Sequence, residues 1–403
     1  MNFILKKLKN LVNFFPELIL FLVLILISFS IFNYEENFSN YLFAENLINY
    51  EGGFIRRGLL GSVAYFFYQS LDVNPKLFFV VIYYFLYLIL ILIFFYFINS
   101  LKKENFYLST ILIISPATLF FIIFDNESLF RKEIFFILIF FLHSLIANKA
   151  LRNQLDYKSY INLNFLFIIP FLFLNILIHE FQFFLLYFHY LINCIVLKFF
   201  KKQNIFFRNS YIFLTIIFII TIFSGNETSV IAIEKSLVTF IPDIETDYGP
   251  TDMLNGNIYL VIGSFLKMII SSEFVEFFQV FLMLFFSVLF FLYIFNILLE
   301  KNKFNLYNFK YYNYIFVIYL FIILFLFIVT AFDYGRLFHI ILMHIIGFYL
   351  VLPNKIYKFI SKSLSEKLLL QVGIFLYFLF FSMPHSHILM GKGSMYLDYG
   401  NGT

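Results

Sequence analysis

The chain has 403 residues, of which 62% are hydrophobic and only 13% charged, a balance that excludes an ordinary soluble domain because a wetted surface carries far more charge. The net charge of +4 is too small and too divided to point to nucleic acid, and a single cysteine, Cys194, leaves no intramolecular disulfide and no paired-cysteine metal site. Phenylalanine occurs 66 times and tryptophan not at all, so tyrosine must serve as the interfacial aromatic, and the composition points to an AT-rich bacterial genome.

What remains is an all-α, polytopic integral membrane protein, a single membrane domain over 1–403 with about eleven transmembrane helices. Lys6, Lys7 and Lys9 precede the first apolar segment, 17–33, and no small-residue cleavage site follows it. That segment is expected to be retained as a span, with the N-terminus cytoplasmic. Further spans are expected at 77–99, 106–124, 134–149, 161–178, 181–198, 209–224, 274–299, 313–331, 337–353 and 368–384. The stretch Gly58 to Tyr68 is apolar but interrupted by Gly61, and its placement decides the topology. If 58–70 crosses, Lys102, Lys103 and the group Lys198, Lys201, Lys202 and Arg208 fall outside, against the positive-inside bias. If it stays at the outer interface, most of the 28 basic residues fall inside and most of the 24 carboxylates outside. The second arrangement is preferred. It makes 34–76 a first outer loop with two interfacial helices, about 39–50 and 54–69, on either side of Gly52-Gly53. It also makes 224–273 a large acidic outer loop broken by Pro242 and Pro250, and it puts the C-terminus outside. No repeat relates two halves of the chain.

This topology gathers four charged clusters on the non-cytoplasmic face. The first is Glu35, Glu36, Glu45 and Glu51 followed by Gly52-Gly53-Phe54-Ile55-Arg56-Arg57. Arg56 and Arg57 are shaped to hold a phosphate or diphosphate bidentately, or else they pair with these glutamates or with lipid headgroups and seat the interfacial helix. The second is the tight turn Asp125 to Glu133, where Glu127 and Arg131, four apart, would pair and present Lys132 separately. The third is His179-Glu180 at a very short turn between two spans, a pair costly at membrane depth unless satisfied and suited to general-base work. A histidine beside a glutamate, with no second histidine four residues on, is not a zinc motif, so no metal and no other cofactor is assigned. The fourth is Asp333, Arg336 and His339, which recur every three residues and share one face if the span starts early. His143, His189 and His344 lie deeper, each alone, and read as hydrogen-bonded core residues rather than a relay.

Carboxylates and an imidazole beside a surplus of guanidinium suit group transfer from a lipid-linked sugar diphosphate. Glu35, Glu36, Glu51, Asp125, His179 and Glu180 are the candidate catalytic residues. Arg56, Arg57, Arg131, Lys132 and Arg336 are the candidate diphosphate ligands, with Asp333 and His339 in support. In architecture the chain resembles two related groups of envelope enzymes, the Wzy-type O-antigen or capsule polymerases and the GT-C glycosyltransferases, and its runs GGFIRRGLLG, RKE, HE and DYGR resemble patterns in membrane proteins of surface-polysaccharide clusters. The GT-C resemblance implies a catalytic acid in the first outer loop, where this chain has Glu35 and Glu36 in place of the usual aspartate, and interfacial helices, matched by 39–69. The Wzy resemblance implies functional outer-face arginines, matched by Arg56, Arg57, Arg131 and Arg336. Together they imply a bacterial cytoplasmic membrane enzyme that takes a lipid-linked oligosaccharide, sits among membrane lipids and other polysaccharide-assembly proteins, and binds no nucleic acid. A transporter or flippase, with the outer charges lining a vestibule, and a non-catalytic envelope component are the competing expectations.

Overall fold

The computed structural model describes residues 14–101, 109, 112–113, 115, 118–124, 129–203, 205–225, 227–241, 254, 311–312, 314–323 and 334–352. Among them all regular structure is helical: besides a single turn at Tyr34–Asn37 there are α1 Phe15–Phe32, α2 Asn40–Leu47, α3 Gly58–Leu71, α4 Pro75–Leu101, α5 Leu119–Phe124, α6 Glu133–Leu151, α7 Tyr157–Ile178, α8 Gln182–Phe199, α9 Ile205–Ile222, α10 Glu227–Val238, α11 Tyr314–Ile323 and α12 Tyr334–Leu350. Six of these, α1, α4, α6, α7, α8 and α9, are long and apolar enough to cross a membrane. They coincide with the expected spans at 17–33, 77–99, 134–149, 161–178, 181–198 and 209–224. Of the remaining spans, 106–124, 313–331 and 337–353 are described only in part, as α5, α11 and α12, and 274–299 and 368–384 lie outside the described residues.

The burial pattern marks lipid as the solvent. On α1 the buried Leu20, Val23, Ile27 and Ile31 recur at helical spacing, while Leu18, Phe21, Ile25 and Phe29 on the other side are 47–66% exposed. A helix with so many exposed phenylalanines and isoleucines would be unfavourable in water and is at home in hydrocarbon. α9 repeats the pattern, with Ile212, Phe213, Ile216 and Ile220 outward. By contrast α6 is largely buried, with Phe136, Phe140, Phe141, His143 and Ala147 all fully covered. It packs against α7 and α8 and forms the centre of its unit.

The chain divides into two compact units. The first comprises 28–90 and 127–261, and contains α2, α3 and α6 to α10 with the first part of α4. Its aromatic core has Phe130 stacked on Phe38 at 4.4 Å and edge-on to Tyr83 at 5.8 Å, and Phe79 edge-on to both Phe38 and Phe43. The second comprises 1–27, 91–126 and 262–403. There His339 stacks on Phe121 at 4.4 Å, and Phe316 of α11 stacks on Phe348 of α12 at 4.0 Å.

α3 has 14 residues, so it is about 21 Å long and falls short of the hydrocarbon layer. It is seated instead against α2 and α7. A Cβ at Gly61 would collide with the backbone of Leu47 and Ile48, so only glycine allows α3 to approach the end of α2 this closely. Two expectations shift. The second helix of the first loop starts at Gly58 rather than near 54, because Arg57 takes a left-handed backbone, φ 65°. The segment 224–273 is not loop from its start, since 227–238 contains neither Pro nor Gly and forms α10.

Candidate functional site

The site grows from α2. Ser39 caps this helix by accepting from the Leu42 N–H, and Asn46 on its buried side ties three segments together. The Asn46 amide donates to the carbonyls of Leu42 and Phe130, both at 2.9 Å, and its Oδ1 accepts from Tyr83 Oη at 2.7 Å. These bonds hold residues 129–132 against α2. After α2 the chain is pinned to α10: Asn49 donates to Ser236 Oγ at 3.0 Å, Tyr65 donates to the Ser236 carbonyl at 2.6 Å, and Ser229 donates to the Gly52 carbonyl at 2.6 Å. Gly53, at φ +103°, completes the turn that delivers Arg56 and Arg57.

Arg57 is the hub. Its Nε lies 3.0 and 3.1 Å from the two carboxylate oxygens of Glu180, its Nη2 lies 2.8 Å from Oε1, and Nη1 is 3.8 Å from Glu45. Glu45 also meets Arg131 Nη1 at 3.3 Å. Lys132, only 1% exposed, donates its ammonium to the Glu45 carbonyl at 2.9 Å and to the Arg57 carbonyl at 3.4 Å. Three cations and two carboxylates from four separate stretches thus interlock at the ends of spans, with Arg56 half-buried next to them. The left-handed backbone at Arg57 costs on the order of 1 kcal/mol and persists because both its guanidinium and its carbonyl are held.

Burial and charge pull against each other here. Burial disfavours charge on Arg57, yet Glu180 and then Glu45 more than compensate and raise its pKa. Burial would raise Glu180, but Arg57 holds it well below the usual carboxylate range. For Lys132 burial dominates and brings the ammonium down to about 8 despite Glu45. His179 falls to about 3, first through burial and then through Arg57. It is therefore neutral at pH 7. Its Nδ1 accepts from the Phe181 N–H at 3.2 Å, which leaves the other nitrogen to carry the proton. His179 is thus equipped to donate a hydrogen bond.

Of the residues singled out in the sequence, Arg57, Arg131, Lys132, His179 and Glu180 come together, with Arg56 alongside. Glu35 does not join them: it is exposed and pairs with Lys76 at 3.4 Å. Glu51 is exposed in the turn. The Glu36 side chain, Asp125, the Glu127 to Arg131 pair, the Arg336 side chain and Asp333 lie outside what is described. His339 is buried against Phe121. Among the described residues no group of three or more His, Cys, Asp or Glu is placed to hold a metal ion. The carboxylate that joins Arg57 to Arg131 is Glu45, which the sequence offered as one of four glutamates without distinguishing it.

The deep histidines are not alone. His143 Nδ1 is 3.0 Å from His189 Nδ1, His143 Nε2 is 3.3 Å from Tyr160 Oη, and Tyr160 donates to Asn193 Oδ1 at 2.5 Å. Asn193 in turn donates to Tyr211 Oη at 3.0 Å. This chain of buried groups crosses from α6 through α7 and α8 to α9. It runs beside the point where α7 widens into a π-turn over Asn164–Ile168, with the Ile169 N–H bonded to the Asn164 carbonyl just before Pro170.

No protein-family model matches the sequence, and neither a curated protein nor a solved structure matches it.

The cluster makes a double-mutant cycle decisive. Glu180→Leu removes the main partner of the Arg57 guanidinium and is expected to destabilise the detergent-solubilised protein by about 3 kcal/mol, Arg57→Met strands Glu180 at a similar cost, and the double variant Arg57→Met with Glu180→Leu recovers most of that loss. Equal and additive losses in thermal unfolding would show that the two side chains do not interact.

Proposed function

We propose that the chain is a membrane glycosyl-transfer enzyme acting on polyprenyl-diphosphate-linked sugars at the non-cytoplasmic face of a bacterial cytoplasmic membrane. The favoured form is Wzy-like polymerisation of repeat units in surface-polysaccharide assembly, and addition of a single sugar in the GT-C manner is the nearest alternative. The observation that carries this reading is the clustering of Arg57, Arg131 and Lys132 beside Glu45 and Glu180 at the ends of apolar helices. A diphosphate departing from a sugar carries charge that preorganised cations in a desolvated site stabilise strongly, and the hydrocarbon around the helices accommodates the polyprenyl tail. Glu180 is too well stabilised by Arg57 to be a strong base. The acceptor hydroxyl would then lose its proton to a cluster carboxylate only as the sugar approaches an oxocarbenium-like state. Asp125, Arg336, Glu36 and Glu51 remain part of this proposal.

One observation favours a transporter or flippase as second reading. The buried His143–His189 pair lies beside the π-turn of α7, and coupled carriers place ionisable groups on interrupted helices within the bilayer.

Two experiments address these readings. Inorganic diphosphate binding to the solubilised chain should weaken by roughly tenfold as pH rises through about 8, where Lys132 loses its proton, since one charge-assisted contact is lost. The sign follows from the lowered pKa: the cation exists below about 8 and the neutral amine above it. Lys132→Met should remove that step, and an unchanged pH profile in the variant would contradict the assignment. In a host making the cognate glycan, deletion should leave single repeat units on the carrier. Truncated repeats would favour the single-sugar transferase, and complete units left facing the cytoplasm would overturn both enzyme readings in favour of transport.

A further inference from the structure

A second feature lies on the far side of α2 from the cationic cluster. Phe43 and Glu45 are two positions apart on a helix with 3.6 residues per turn, so they project in nearly opposite directions. Glu45 enters the cluster, and Phe43 lines a pocket of about 320 Å³ with Tyr68, Asp72, Asn74, Pro75, Lys76 and Phe240. The volume lies at the lower end of the range for small-molecule sites and suits a ligand of one or two rings.

Its lining is chemically specific. One part is aromatic: Phe43, Tyr68 and Phe240, the last two edge-to-face with centroids 4.9 Å apart. The other part is polar, contributed by the turn between α3 and α4. Asp72 ends α3 in a left-handed conformation, φ 53°, and Asn74 caps α4, its Oδ1 accepting from the Lys76 N–H at 2.8 Å. Lys76 is held by Glu35 at 3.4 Å and lies over the Tyr34 ring at 5.6 Å. The cation is therefore already balanced, and Asp72 on the same wall disfavours a phosphate. An acyl chain is disfavoured in turn by Asp72, Asn74 and Lys76, whose polar groups it would desolvate without replacing their hydrogen bonds. A neutral polyhydroxylated ring meets both requirements. Its C–H face packs on aromatic rings, whose faces are electron-rich, and its hydroxyls pair with the carboxylate, amide and ammonium at the rim.

We propose that this pocket is a carbohydrate subsite that holds one uncharged sugar ring of the glycan, separate from the cationic cluster that would hold the diphosphate. The proposal rests on the glycosyl-transfer reading and deepens it. It assigns Glu35, which the cluster does not use, to fixing Lys76 at the rim of the sugar site rather than to catalysis.

The test is saturation-transfer NMR and calorimetry on the full-length protein in nanodiscs, with methyl glycosides of glucose, galactose and N-acetylglucosamine as probes and inorganic diphosphate titrated in parallel. At least one glycoside should bind saturably, with an affinity on the order of 1 mM. Phe240→Leu should weaken that binding at least tenfold, and Asp72→Asn, which keeps a residue tolerant of the left-handed backbone, at least fivefold. Ser70→Ala, on the exposed end of α3, should leave it unchanged and diphosphate binding intact. Absence of saturable binding by all three glycosides, or binding that Phe240→Leu and Asp72→Asn leave unaltered in a folded protein, would overturn the subsite. Diphosphate binding without sugar binding would sink this proposal and spare the function proposed above, and sugar binding without diphosphate binding would do the reverse.

Discussion

The Arg57–Glu180 contact holds together stretches of chain 123 positions apart, and the cluster of Glu45, Arg131 and Lys132 is arranged around it. Arg57 stands at the start of α3 in a backbone conformation that residues other than glycine seldom adopt. Glu180 stands in the three-residue break between the apolar helices α7 and α8, where an ionised carboxylate needs a partner to remain charged. Neither position is favourable by itself. Together they supply the geometry that Glu45, Arg131 and Lys132 then complete, and α2 and the loop before α6 are drawn onto the same spot.

A cluster of this kind is held by opposite charges whose burial would otherwise be unfavourable. Among the described residues Arg57 and Arg131 meet Glu45 and Glu180, and Lys132 feels both carboxylates and Glu133 while burial depresses it toward neutrality. Guanidinium and ammonium groups gathered at the ends of apolar helices are the chemistry that an anionic ligand would need.

The sequence made some of this legible and hid the rest for identifiable reasons. α1, α4, α6, α7, α8 and α9 were readable because apolar length is a local property. Arg57, Arg131, Lys132, His179 and Glu180 were readable because charge at the end of a span needs an explanation. The choice of Glu45 over Glu35, Glu36 and Glu51 was not readable, since it depends on which face of α2 turns toward residues 129–132, a matter settled by Asn46 and Tyr83. The start of α3 was misplaced because nothing in the sequence signals a left-handed arginine. The pairing of His143 with His189 escaped notice because it requires the register of α6 against α8, two helices whose histidines are 46 positions apart. α10, by contrast, was readable in principle: 227–238 contains no helix breaker, and the prolines that argued for a loop begin only at Pro242.

The central claim is that α3 stays on one side of the membrane, so that the charges before and after it share the non-cytoplasmic face. With Cys194, the single native cysteine, replaced by serine, cysteines placed singly at the exposed positions Glu51 and Gln69 bracket most of α3. A membrane-impermeant maleimide applied to intact cells should label both Glu51→Cys and Gln69→Cys. Labelling of one from outside and of the other only after the membrane is permeabilised would mean that α3 crosses, and the proposed site would dissolve.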